Sequence, residues 1–165
     1  MSVTTQGAAA VGSGNMLEQV VVTTLRSKQF EIADYKMWQR VPGMFEKELL
    51  LTNVPYTSIY GHKSRSEFLL LSEKYNLQVR IECKWQQSKG SVDEKLPYLY
   101  LNCALQMPES TIFIVIDGGG FKAGAVSWIK GAASRGDLLD ATQVKKDIRV
   151  MDLAGFIGWA NRELR

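Results

Sequence analysis

The stretch Val79-Arg80-Ile81-Glu82-Cys83-Lys84-Trp85 constrains the fold more than any other part of the chain. Its β-branched and apolar residues read as a buried strand, yet a carboxylate and an ammonium stand two positions apart within it. Side chains on a strand alternate faces, so Glu82 and Lys84 project to one side about 7 Å apart, while Ile81, Cys83 and Trp85 point to the other. Charges on a covered strand face are costly unless something there uses them. A divalent cation with a phosphate would use both.

The preceding stretch, Glu67-Phe68-Leu69-Leu70-Leu71, is continuously apolar after its first residue, as expected of a strand covered on both faces. Ser72 to Asn76 makes a polar turn, so the two strands predict a hairpin in which Glu67 approaches Glu82 and Lys84. Two converging carboxylates can hold Mg²⁺, which prefers oxygen ligands and keeps several waters. The metal polarises a phosphodiester and acidifies a bound water, and the lysine would orient that water or offset charge in the transition state. The competing explanation is a structural salt bridge, since buried ions must be paired.

The rest of the chain predicts an α/β domain. Asn15 is positioned to cap a helix from about Met16 to Lys28, with Leu17, Val20, Val21, Thr24 and Leu25 as its apolar stripe. Glu18, three residues after Asn15, then has a capping-box explanation. Phe30 to Ile32 predicts a short strand. Pro42-Gly43 and Asn53-Val54-Pro55 are turn signals, Met44 to Leu51 suits helix or strand, and Gly61 to Ser66 predicts a polar, basic loop. Ser91-Val92-Asp93-Glu94 forms a second capping box before a helix reaching about Gln106, which Pro97 should kink or shorten. Thr111 to Ile116 predicts a buried strand, Ala123 to Ala133 a helix, Asp147 to Met151 a last strand, and Asp152 the cap of a closing helix. Helices first and last, with strands and helical crossovers between, give a mixed central sheet flanked by helices on both faces.

At 165 residues the chain fits one domain, expected over residues 14–165 behind a flexible tail at 1–13. Cys83 and Cys103, the only cysteines, lack metal-ligand spacing and predict core thiols of an intracellular, cytoplasmic protein. No apolar run approaches a membrane span and no signal peptide is expected. The net charge of +3 permits a polyanionic partner without demanding one.

With these residues in place, Ile81-Glu82-Cys83-Lys84 resembles the (D/E)xK signature of the PD-(D/E)XK nuclease superfamily, the restriction-endonuclease-like fold. An early helix with a glutamate (Gly14-Asn15-Met16-Leu17-Glu18), an acid on the preceding strand and a following helix stand around it, and the resemblance spans about residues 14–165. It implies a Mg²⁺-dependent DNA endonuclease, with Mn²⁺ as a substitute metal. Carried over, Glu82 resembles the second metal-binding acid and Lys84 the catalytic lysine. Glu67 stands where the family usually has aspartate after proline; here the dipeptide is Ser66-Glu67, and no aspartate occurs between Asp34 and Asp93. Glu18 matches the first-helix glutamate that resolvase-like branches add to the metal site. Gln86 shares the face of Lys84 if the strand persists, where some branches place a polar residue.

Lys63, Arg65 and Lys89, on loops near the acids, would then neutralise DNA phosphates, the alternative being ordinary surface cations. A compact nuclease cutting both strands suggests a homodimer. Against this stands a catalytically inactive DNA-binding or assembly module that keeps the nuclease fold, motivated by the Ser66-Glu67 departure. The run Asp117-Gly118-Gly119-Gly120 between strand and helix lacks the Gly-Lys-Ser/Thr of a P-loop, so nucleotide binding there is the weaker expectation. His62, the single histidine, has no partner in sequence that would make it a base.

Overall fold

Leu17, Val21 and Leu25 recur every four residues and all three are completely buried, which makes Ser13–Ser27 (α1) an amphipathic helix lying on the sheet. Val20 and Thr24 sit at the margin of that stripe, half-buried. The computed structural model describes residues 13–89, 93–142 and 144–165, and the expected tail up to residue 12 lies outside them. Because α1 opens at Ser13, Asn15 lies inside the helix and is not its cap. The capping-box explanation of Glu18 therefore falls.

Six strands follow one another across a single sheet in chain order: β1 (Glu31–Asp34), β2 (Leu49–Thr57), β3 (Lys63–Ser72), β4 (Leu77–Trp85), β5 (Thr111–Asp117) and β6 (Asp147–Met151). β1 runs parallel to β2, β2–β3 and β3–β4 are antiparallel hairpins, and β4–β5 and β5–β6 are parallel. The parallel steps require crossovers, supplied by α2 (Tyr35–Arg40), α3 (Lys95–Leu105) and α4 (Ala123–Arg135), and α5 (Leu153–Glu163) closes the chain. α1 and α5 cover one face, where Phe68, Leu70, Ile81 and Phe113 meet Leu17, Val21, Phe156 and Trp159. α3 and α4 cover the other through Leu99, Cys103, Ile112, Ile114 and Ile129. This is the mixed sheet with helices on both faces that the sequence predicts. Cys83 and Cys103 are buried free thiols, also as expected. Among the described residues no helix is long and apolar enough to cross a membrane.

Several local expectations are corrected. Asn53-Val54-Pro55 is not a turn but the middle of β2: β1 pairs only as far as Thr52, so beyond it β2 has a free edge where proline's missing N–H costs nothing. Met44 to Leu51 is neither one helix nor one strand, because a 3₁₀ turn at Pro42–Met44 ends where it starts and β2 begins at Leu49. Lys63 to Ser66 is strand, not loop, since β3 starts at Lys63 and pairs there with Thr57. Pro97 does not kink α3: the helix opens at Lys95, later than the Ser91 box predicts, so Pro97 falls in its first turn, where its N–H would be unsatisfied anyway. The capping box at Ser91 lies partly outside the described residues. Asp152 does cap α5, accepting the Gly155 N–H at 2.7 Å.

Candidate active site

The β3–β4 ladder runs from Ser72↔Leu77 to Phe68↔Ile81 and stops one residue short of Glu67 and Glu82. On the other side of β3, pairing with β2 is registered at Thr52↔Phe68 and Val54↔Ser66 but not at Asn53, whose φ of 55° is left-handed. Glu67 thus stands where regular pairing lapses on both sides and the strands begin to part. Its Oε2 accepts the Cys83 backbone N–H at 3.0 Å, a donor past the end of the ladder. β4 continues beside β5 through Trp85↔Asp117, holding Glu82 and Lys84 on a fixed strand.

The Lys84 ammonium bridges the two acids, 3.0 Å from Glu82 Oε2 and 3.3 Å from Glu67 Oε1. The hairpin convergence expected from sequence is therefore present. Glu82 is deeply buried, while Lys84 and Glu67 keep 30% and 19% of their side-chain surfaces exposed, so the trio can be reached from solvent. Burial pushes the Glu82 carboxyl up; Lys84 opposes the shift and the adjacent Glu67 carboxylate adds to it, leaving it at about 8. For Lys84, burial alone would lower the pKa, but Glu82 and Glu67 outweigh it and hold the ammonium above the ordinary lysine value. Glu82 Oε1 is buried with no donor facing it. Once Glu82 ionises, a buried oxygen without a donor is costly, and a hard cation is the partner that favours the ionised form and satisfies it without a protein donor. By that test the acids fit a divalent metal. Among the described residues no three His, Cys, Asp or Glu side chains form a metal-binding group, so two acids and solvent would have to suffice at the core of the site.

On the α1 side Glu67 lines a cleft of about 640 Å³ together with Glu18, Arg26, Asn53 and Arg65 among others. Glu18 is half-buried; burial and then Glu67 raise its carboxyl, and Lys84 lowers it, so it shares the electrostatic neighbourhood of the site. Lys63 and Lys89 are exposed and do not line the cleft; Lys63 sits on β3 and Lys89 on the loop after β4. Gln86 departs from expectation because β4 ends at Trp85: its Nε2 donates to the Gly120 carbonyl at 3.4 Å, fastening the glycine loop. The glycines there have a packing reason. A Cβ on Gly118 would lie 2.4 Å from the Gln86 carbonyl oxygen, and one on Gly120 would lie 2.6 Å from the same atom.

Sequence reasoning missed a buried polar network beside the trio. Arg80, on the same face of β4 as Glu82, grips Glu109 through Nε at 2.5 Å and Nη2 at 2.9 Å. Its Nη1 donates to Ser66 Oγ at 2.8 Å, anchoring the residue before Glu67. The arginine inside an apolar run was a visible signal; its partner 29 residues away was not. Arg26 was also missed, though it lies two i, i+4 steps beyond Glu18 on α1 and so shares its side of the helix.

The strand fork, the acid–lysine trio and the first-helix glutamate form the arrangement the early resemblance implied. A family model for the PD-(D/E)XK nuclease superfamily domain matches residues 9–164, and the chain belongs to that superfamily. Its members are usually nucleases and generally use divalent metals. No curated protein and no solved structure matches the chain.

Proposed function

We propose that this protein is a Mg²⁺-dependent DNA endonuclease, Mn²⁺ substituting, with its reaction centre at Glu67, Glu82 and Lys84. The observation that carries this is the lysine held between two carboxylates at the mouth of a strand fork, with a buried Glu82 oxygen lacking a donor. Glu82 and Glu67 would hold the metal, with Glu18 of α1 acting on it through solvent. The bound metal would polarise the phosphodiester and acidify a water. Lys84, kept protonated by its neighbours, would offset charge developing on the phosphoryl oxygens and orient the attacking water. Arg65 and Arg26, both exposed in the cleft, supply phosphate contacts beside the acids, with Lys63 and Lys89 as outlying surface cations. Cutting both strands of a duplex from one such centre calls for a second copy of the chain.

Lys84→Ala should lower plasmid nicking in Mg²⁺ by about 10²–10³-fold, the scale of losing one transition-state charge contact, while DNA binding in Ca²⁺ stays near wild type and circular dichroism shows the variant folded, though less stable for want of the bridging charge. Wild-type nicking by the variant would refute the assignment. The same ion pairs also suit an inactive nuclease-fold DNA-binding or assembly module, in which Lys84 serves only to neutralise buried acids. DNA binding indifferent to metal, without nicking in Mg²⁺ or Mn²⁺, favours that alternative.

A further inference from the structure

On the α3 side of the site the β2–β3 turn carries Tyr60, an aromatic ring left 68% exposed. The turn beneath it is firmly built. Ser58 N–H donates to the His62 carbonyl and Gly61 N–H to the Ser58 carbonyl, each at 2.8 Å. Ile59 N–H donates at 2.9 Å to Asn102 Oδ1, which belongs to a completely buried side chain of α3. Tyr60 stacks on Tyr98 of α3 with ring centroids 5.3 Å apart and planes 22° from parallel. One face of the ring is backed, and its high exposure leaves the other open.

This aromatic step caps the hairpin that carries Glu67, since β3 reaches Glu67 four residues after Lys63, about 13 Å along the strand. Tyr56, on the strand leading to the turn, packs with the α3 cluster, and burial and then Glu82 raise its hydroxyl pKa. Lys63, exposed on β3 opposite Thr57, adds a cation at the base of the same turn. A rigid aromatic face beside a cation, on the hairpin that carries Glu67, suits a nucleotide whose base has left its own stack. Bases inside a duplex are already stacked on both faces and cannot reach such a ring.

Resting on the nuclease assignment, we propose that Tyr60, backed by Tyr98, is a stacking platform for an unpaired base, so that the protein acts on single-stranded DNA or on DNA with an unpaired nucleotide a short distance from the scissile bond. Tyr60 is here a specificity residue with no part in the bond-breaking step.

The test measures binding of the full chain in EDTA, by fluorescence anisotropy, to labelled oligothymidylate and to a blunt duplex of equal length. Tyr60→Ala should weaken single-strand binding by about ten-fold, the scale of one lost base stack, and duplex binding by less than about two-fold. Tyr60→Trp should restore single-strand binding and add fluorescence quenching on oligothymidylate. Equal losses on both DNAs, no loss on the single strand, or no single-strand binding by the wild type would each overturn the proposal. These measurements need no cleavage. Failure of the nuclease assignment would show separately, as absent Mg²⁺-dependent nicking with the Tyr60 preference intact.

Discussion

At Glu82 burial and charge pairing pull in opposite directions, and pH separates them. Its carboxyl sits at about 8 in the folded chain against an ordinary value near 4.5, so between those values the folded state holds a proton the unfolded state has released. Its contribution to stability is present below the unfolded value and is lost as pH rises through the folded one. The raised Lys84 ammonium contributes in a different window, below the ordinary lysine value, and does not titrate here. In EDTA, melting temperature should therefore fall between pH 5 and pH 8 more steeply for the wild type than for Glu82→Gln, which cannot ionise. Identical slopes would contradict the placement of Glu82. A second residue-scale prediction concerns Arg80: replacing it with alanine strands Glu109 in the core without a counter-charge and should cost about 3–5 kcal/mol by urea denaturation. Of these groups, the Glu67–Glu82–Lys84 convergence was legible in the chain, because strand alternation and one short turn bring them together. The Arg80–Glu109 pair was not, because no local spacing links them.

The elements that carry the site are held by backbone packing as much as by side chains. Gly120 faces the Gln86 and Ser88 carbonyl oxygens at distances no Cβ can share, and both neighbours are main chain with nowhere to move. Gly120→Ala should destabilise the protein by about 2 kcal/mol or more and loosen the segment following Lys84, lowering nicking as well. Unchanged melting would show that the loop has slack the close approach denies. β4, β5, β6 and the flanking helices were readable because their apolar period shows in the sequence, and at α5 the cap agrees with it. β2 was hidden by Asn53 and Pro55, whose turn chemistry is real but is spent on a left-handed residue opposite Glu67 and on a free edge. The start of β3 was hidden because its polar residues lie beyond the core, where pairing with β2 alone makes the strand.

For the whole molecule, the proposed path of a polyanion would run along the cleft beside Glu67, where Arg26 and Arg65 stand. A net charge of +3 would not by itself guide it there; those two side chains would. If both arginines contact phosphates, the double change to alanine should reduce the slope of log binding constant against log salt by about 1.8 for duplex DNA, or about 1.4 for single strands. The overall α/β architecture was legible from element order, whereas the cleft was not, since it forms between α1, β2 and β3, which no local spacing links. The most direct measurement is plasmid cleavage by the wild type beside Glu82→Ala in EDTA, Ca²⁺, Mg²⁺ and Mn²⁺. Nicking by the wild type in Mg²⁺ and Mn²⁺ only, lost in Glu82→Ala, is the expected result. Cleavage that persists in EDTA, or that Glu82→Ala retains, would contradict a metal-dependent centre at this strand fork.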